Sequence, residues 1–456
     1  MSRTQKLPEG VIRFVEETGA GTITRLERHV ARREAWVVDV TRPDGSVAEY
    51  FLRLDRPNAH ASDNPFSVAR ETRVLQALAD TKVRVPAIHG WSEAHQTALQ
   101  ERVAGRPDLH QVPAEQQRPV FRHFMELVAE LHALDPQGLG LDDFEWPKTP
   151  EDHALGEVVK LEGMLSARQR AARPEPLASF GAAWLRRHVP EQVERTVLLQ
   201  GDTGPANFLF EGNEVTAIVD WEWAHFGDPM EDLGNICARE FFHPSGNLSE
   251  LFEHYERCSG HPVALDRVRY YRVQQMVRSV IGLVHVTEPH DPGGPVAMNL
   301  AYRVVCQRAL CEAMAEAAGV PLEAAELPDA STASDSGLHA ILVQQLENEI
   351  APALEAGYLR HRAESAAGLA ACLENEARLG PALEAVECEE MAELLGERPA
   401  SLSEGLTALD AAAVLVADEA QEALWIRYLA RRANRAEALY APIAGPFADR
   451  RFSAID

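Results

Sequence analysis

The stretch LLQGDTGPANFLF, residues 198–210, restricts this chain more than any other. Two apolar arms enclose a short loop that carries Asp202 and Asn207 in a D-x-x-x-x-N spacing. The pattern predicts strand, tight loop, strand, and a loop gripped by apolar arms often carries function as well as connection. The run VTAIVD follows, joined to NFLF by the turn EGNE at 211–214. A hairpin built this way returns Asp220 to the side of Asn207. A carboxylate and an amide oxygen then converge, with the carboxylate of Asp202 one loop away. Phosphoryl transfer uses this set. An Asp accepts the proton of an attacking hydroxyl, while an Asn and an Asp hold Mg²⁺ through hard oxygen ligands and the metal bridges the phosphates of ATP.

The rest of the chain predicts the setting. At 456 residues it is too long for one compact core, so two or three domains are expected. Residues 11–56 read as β-rich, with PDG at 43–45 as a hairpin turn between alternating apolar runs. Residues 65–80 read as a helix, VRVPAIHGW and TALQERVAG as two more strands, and 117–134 as an amphipathic helix. The Pro/Ser/Ala/Asp-rich segment 321–337 reads as a linker. Beyond it the composition turns Ala/Leu/Glu/Arg-rich, with Leu338, Leu342, Leu346, Ile350 and Leu354 at spacing four and no strand pattern. The expected division is an N-terminal lobe at 1–103, a catalytic lobe at 104–320, the linker, and an all-helical domain at 338–456. The fold class is α+β: a small antiparallel sheet lobe and a mainly helical lobe, followed by helices.

Charge and cysteines exclude several classes. A formal net charge of −26 argues against a nucleic-acid partner, because phosphate backbones need a basic face. No run approaches the ~20 apolar residues of a membrane span, and MSRTQKLPEG lacks a signal-peptide core, so no membrane association and a cytoplasmic location are expected. The six cysteines (237, 258, 306, 311, 372, 388) are scattered without a C-x-x-C pair, which predicts free thiols.

A nucleotide half also needs a cation on the third strand paired with a helix Glu. Arg53 in YFLRLDR and Glu71 in ARETRVL meet that need, with Arg in place of the usual Lys. No G-x-G-x-x-G is present, and Arg32 or Arg33, between the first two strands, is a candidate phosphate contact. Trp221 and Trp223 are expected in the core, and His132 as a bracing residue.

The run QGDTGPANFLF…VTAIVDWEWAHFGDPMEDL resembles the motif set of the aminoglycoside phosphotransferase-like kinases: H-G-D-x-x-x-x-N, then I-D-W-E, then G-D-P-x-x-D-L. FLRLDR, ARETRVLQAL, VPAIHGW, LQERVAGR and LAELHALD occur in the expected order, so the resemblance covers residues 11 to about 315. It implies a bilobal protein-kinase-like fold with ATP between the lobes. Residues 100–103 become the hinge, so Gln100, Glu101 and Val103 would meet adenine. Asp202 becomes the base, with Asn207 and Asp220 as Mg²⁺ ligands, while Asp228 and Asp232 brace the loop. The usual His before Gly-Asp is Gln200 here, and a Gln amide can orient the loop by the same kind of hydrogen bond.

The resemblance leaves the acceptor open. The WEWAHFGDP style is similar to the branch linked to acyl-CoA dehydrogenases, which suggests a hydroxyacyl-CoA hydroxyl. Alternatives are an aminoglycoside or macrolide antibiotic kinase, and a pseudokinase binding module. The tail resembles a small helical companion protein encoded beside such kinases, so it is expected to dock on the kinase or to mediate oligomerisation.

Overall fold

The structure is a computed structural model that describes residues 7–29, 34–55, 66–164, 174–243, 246–287, 294–328 and 337–456. Arg32 and Arg33, and residues 329–336 of the 321–337 linker, lie outside the described residues. The chain opens with helix α1 (Glu9–Gly19) and strands β1 (Thr22–His29), β2 (Glu34–Thr41) and β3 (Val47–Leu54). Helix α2 (Val68–Leu78), strands β4 (Ile88–Ser92) and β5 (Thr97–Glu101), and helix α3 (Ala114–His132) follow. After α4 (Pro150–Met164) and α5 (Pro176–Arg187) come four short strands: β6 (Val197–Leu199), β7 (Phe208–Glu211), β8 (Glu214–Ile218) and β9 (His225–Gly227). Helices α6 (Pro229–Glu240), α7 (Leu248–Ser259), α8 (Leu265–Thr287) and α9 (Val296–Ala317) lead to the tail. There α10 (Leu338–Gln345) runs into a π-turn, followed by α11 (Tyr358–Leu395), α12 (Leu402–Ala413) and α13 (Glu419–Leu439).

Two compact units emerge: residues 1–148 with 193–264, and residues 149–192 with 265–456. In the first, β1–β5 form an antiparallel sheet in the order β1-β2-β3-β5-β4. Alternation decides its faces. Tyr50, Leu52 and Leu54 of β3 are buried against Val38, Val40, Val11 and Val15, while Phe51 and Arg53 point the other way. Within the span read as β-rich, residues 11–19 belong to a helix instead. Val11 and Val15 repeat at helical spacing and sink into the sheet core, and Pro8 starts the helix.

The β7–β8 hairpin forms as its sequence predicts, with Phe208 opposite Ile218 and Glu211 opposite Glu214. It is seated on α3, where His123 Nδ1 accepts the Val215 N–H at 2.9 Å and Phe124 packs 4.4 Å from Phe208. Strand β6 pairs with β9, so the two ends of the motif region close on each other.

The second unit joins α4, α5, α8 and α9 to the tail helices, so compactness does not follow the 104–320 and 338–456 division. The physical reason lies in side chains the tail shares with its neighbours. Trp425 stacks on Phe180 at 5.5 Å, Trp184 Nε1 donates to Glu422 at 2.8 Å, and Arg308 forks onto Glu437. Of the spacing-four stripe, Leu338, Leu342 and Ile350 remain exposed.

Candidate active site

Asp202 sits in the loop between β6 and β7, and both its carboxylate oxygens are held. Asn207 Nδ2 donates to Oδ2 at 2.8 Å and also to the Asp202 carbonyl at 2.8 Å. Arg239 Nη1 donates to Oδ1 at 3.0 Å. The loop's turn needs a residue without Cβ at Gly201, where φ is +79° and a Cβ would stand 2.2 Å from the Trp223 carbonyl oxygen.

The hairpin does what its spacing predicts. Val219 N donates to the Asn207 carbonyl at 2.9 Å, bringing Asp220 alongside Asn207. Asp220 occupies the left-handed region at φ +62°, uncommon for a residue with a side chain. Its Oδ1 accepts from Arg53 Nη2 at 3.2 Å, and Arg53 Nη1 reaches Glu71 Oε1 at 2.8 Å. Burial pulls the Arg53 pKa down, but Glu71, Asp220 and Glu222 together raise it above the ordinary arginine value, so the guanidinium stays charged.

Gln200 fills the place of the usual His with three contacts. Its Nε2 donates to the carbonyls of Val219 at 3.1 Å and Asp220 at 2.8 Å, and its Oε1 accepts the Asp202 N–H at 3.0 Å. It ties the two acidic segments together from behind. Asp232 holds the same loop from below. It accepts from Gln200 N and Gly201 N, each at 3.0 Å, and from the Thr203 hydroxyl. His132 Nε2 bonds Asp232 at 3.1 Å, and its Nδ1 bonds Tyr255 Oη at 2.8 Å. Burial pushes the Asp232 carboxyl pKa up, yet His132, Thr203 and the Gly201 N–H outweigh that and leave it below the usual carboxylate range. Asp228 caps α6 by accepting the Met230 N–H at 3.0 Å.

A cavity of about 450 Å³ opens beside this constellation. Its walls include Arg53, Glu71, Gln100, Val103, Asn207 and Asp220, with Glu101 at the same rim. Asp202 is not among the lining residues, and Gln200, Asp228 and Asp232 are buried behind the wall. Trp221 borders the cavity but is wholly buried in the core, and Trp223 packs 4.0 Å from Phe66. The donor set fits a hard cation. Asn207 spends its Nδ2 on Asp202, which leaves its amide oxygen as the group that can face a metal, and Asp220 supplies a carboxylate on the same wall.

Sequence reasoning missed two charged neighbours. Glu222 lies 3.9 Å from Arg53, and Arg239 lies thirty-seven positions from the Asp202 it touches. Arg239 falls outside every quoted motif, and its only sequence signal is a basic side chain in the last turn of α6.

Comparison with known proteins gives a consistent picture. A family model described as "Phosphotransferase enzyme family" (APH) matches residues 22–271. Acyl-CoA dehydrogenase family member 10 of Mus musculus is 28% identical over 210 residues, covering 41% of this chain and 19% of that protein. Probable acyl-CoA dehydrogenase IBR3 of Arabidopsis thaliana is 25% identical over 260 residues, covering 53% of this chain and 28% of that protein. The chain thus spans less than a third of the length of these curated relatives. Among solved structures, the choline kinase LicA of Streptococcus pneumoniae aligns with a TM-score of 0.50 at 14% identity, over 66% of this chain and 98% of that one. That likeness shows the fold alone, the kinase-like α+β architecture.

Proposed function

The chain belongs to the phosphotransferase enzyme family, and on that premise we propose that it is an ATP- and Mg²⁺-dependent kinase of a small-molecule hydroxyl, with Asp202 as its base. The observation that carries the reading is that Asn207, hydrogen-bonded to Asp202, stands beside Asp220 at one wall of the cavity. In this reading the acceptor hydroxyl hydrogen-bonds to Asp202 and gives it a proton as the oxygen attacks the γ-phosphorus. The new O–P bond forms as the bond to the ADP oxygen breaks, and ADP leaves with the electron pair.

Asn207 Oδ1 and Asp220 would hold the cation. When bound, Mg²⁺ supplies positive charge to the phosphate oxygens. Arg53, oriented by Glu71, contributes a fixed cation at the phosphate end of the cavity. The backbone of Gln100, Glu101 and Val103 would meet the adenine. Gln200, Asp228 and Asp232 touch no reactant and hold the loop in shape, which matters because misplacement by about 1 Å can cost 10²-fold in rate.

For the acceptor we favour the hydroxyl of a hydroxyacyl-CoA. The support is the acyl-CoA dehydrogenase wording in the names of curated relatives, which share part of their length with this chain. ATP consumption with Mg²⁺ tests the reading against hydroxyacyl-CoAs, free hydroxy acids and aminoglycosides, in the full chain and in Asp202→Asn. Turnover with the thioesters is expected, with a loss of roughly 10²–10⁴-fold in Asp202→Asn at unchanged ATP affinity. Equal turnover in both proteins would overturn the base assignment, and turnover on aminoglycosides alone would overturn the acceptor.

A further inference from the structure

We infer that Arg239 is a positioning residue of this site, clamping Asp202 and the far half of its loop from α6. The inference rests on the reading of Asp202 as the base. Arg239 makes three separate contacts with the loop. Nη1 donates to Asp202 Oδ1 at 3.0 Å, and Nε donates to the Pro205 carbonyl at 3.0 Å. Its aliphatic stem lies against Gly204, where φ is +142° and a Cβ would stand 3.0 Å from Arg239 Cδ and 3.2 Å from its Cβ. The loop is shaped around this side chain, and the missing side chain at 204 makes room for it.

The placement follows from the helix. Asp232 and Arg239 are seven positions apart, so one face of α6 presents both to the same loop. Asp232 takes the near half through Gln200 N, Gly201 N and Thr203, and Arg239 takes the far half through Asp202 and Pro205. The loop is therefore held at both ends by one rigid element.

The clamp also selects the carboxylate's rotamer. With Arg239 on Oδ1 and Asn207 on Oδ2, rotation about the side-chain bonds would break one bond or the other. Each oxygen keeps a second lone pair, so the carboxylate can still accept a hydroxyl proton. The ion pair is mostly buried, with side-chain exposures of 21% and 15%. That sets it apart from exposed pairs, which contribute little. A merely structural ion pair would move stability alone, whereas a positioning role must appear in kcat.

The test uses the full chain as wild type, Arg239→Ala, Arg239→Lys, Asp202→Asn and the double variant Asp202→Asn/Arg239→Ala. MgATP affinity is measured by calorimetry, and turnover with [γ-³²P]ATP using water or the best acceptor. Arg239→Ala should lower kcat roughly 10- to 100-fold while ATP affinity holds, and Arg239→Lys should recover part of the loss. Adding Arg239→Ala to Asp202→Asn should cost nothing more, because the two act as one unit. Wild-type kcat in Arg239→Ala, or independent losses in the double variant, would overturn the inference. A crystal structure of Arg239→Ala with MgATP decides the matter without turnover. A swung Asp202 carboxylate supports the clamp, and an unmoved one overturns it. Failure of wild type to bind or consume ATP would instead count against the proposed kinase activity.

Discussion

Gln200 braces the catalytic loop from inside the fold. A side chain 1% exposed makes three hydrogen bonds, two to backbone carbonyls beside the metal-ligand candidate and one to the N–H of the base candidate. Removing a buried partner costs about 1–3 kcal/mol for each group left unsatisfied. Gln200→Ala should therefore lower stability by at least about that amount and reduce MgATP turnover more than nucleotide affinity. Gln200→His, which restores the family's usual residue, should leave both close to wild type. Thermal unfolding and steady-state kinetics on the three proteins check this, and an unaffected Gln200→Ala would remove Gln200 from the loop's support. The sequence identifies this residue as a departure from a motif. It cannot name Val219 and Asp220 as the partners, because they arrive only when the β7–β8 hairpin folds back.

At the scale of elements, α6 organises the site. Its first turn carries Asp228 as cap and Asp232 as brace, and its last turn carries Arg239. Asp232 predicts a pH dependence with a definite sign. Its folded pKa lies below the ordinary aspartate value, so near that value the unfolded chain binds more protons than the folded one. The stability it contributes is present above about pH 4 and is lost as the pH falls through the folded pKa. Urea unfolding followed from neutral to acid pH should show wild-type stability dropping in that acid range. Asp232→Asn should start less stable at neutral pH and show a shallower drop, and parallel curves for the two proteins would refute the assignment. GDPMEDL is legible as a motif, and a helix starting at its Pro is legible too. The chain of contacts from Asp232 through His132 to Tyr255 is not, because His132 and Tyr255 lie 100 and 23 positions from Asp232 on other helices.

At the scale of the whole molecule, the tail is part of a compact unit with α4, α5, α8 and α9. Its anchor is Trp425, 4% exposed and stacked on Phe180. Trp-to-Ala changes in a core cost about 3–5 kcal/mol, so Trp425→Ala should lower the midpoint of the transition that unfolds α5 along with the tail. Circular dichroism with Trp184 fluorescence as a local probe measures it. A tail that melts by itself, leaving the Trp184 signal in place, would mean the two do not share a core.

By itself the sequence determined the sheet-then-helix order, the loop of Asp202 and Asn207 with the hairpin that returns Asp220 beside it, the pairing of Arg53 with Glu71, and the helical character of the tail. These depend on periods, turn residues and short spacings, which act over a few residues and survive in one dimension. It misread residues 11–19, where β-branched and aromatic residues at helical spacing lie next to genuine strands. Tertiary structure alone decided that Arg239 reaches Asp202, that Asp232 bonds His132 and His132 in turn bonds Tyr255, and that the tail shares Phe180, Trp184 and Arg308 with the helices before it. Each of those contacts joins side chains that local patterning leaves independent. Their partners are chosen by which helix faces meet once the apolar surfaces have been buried.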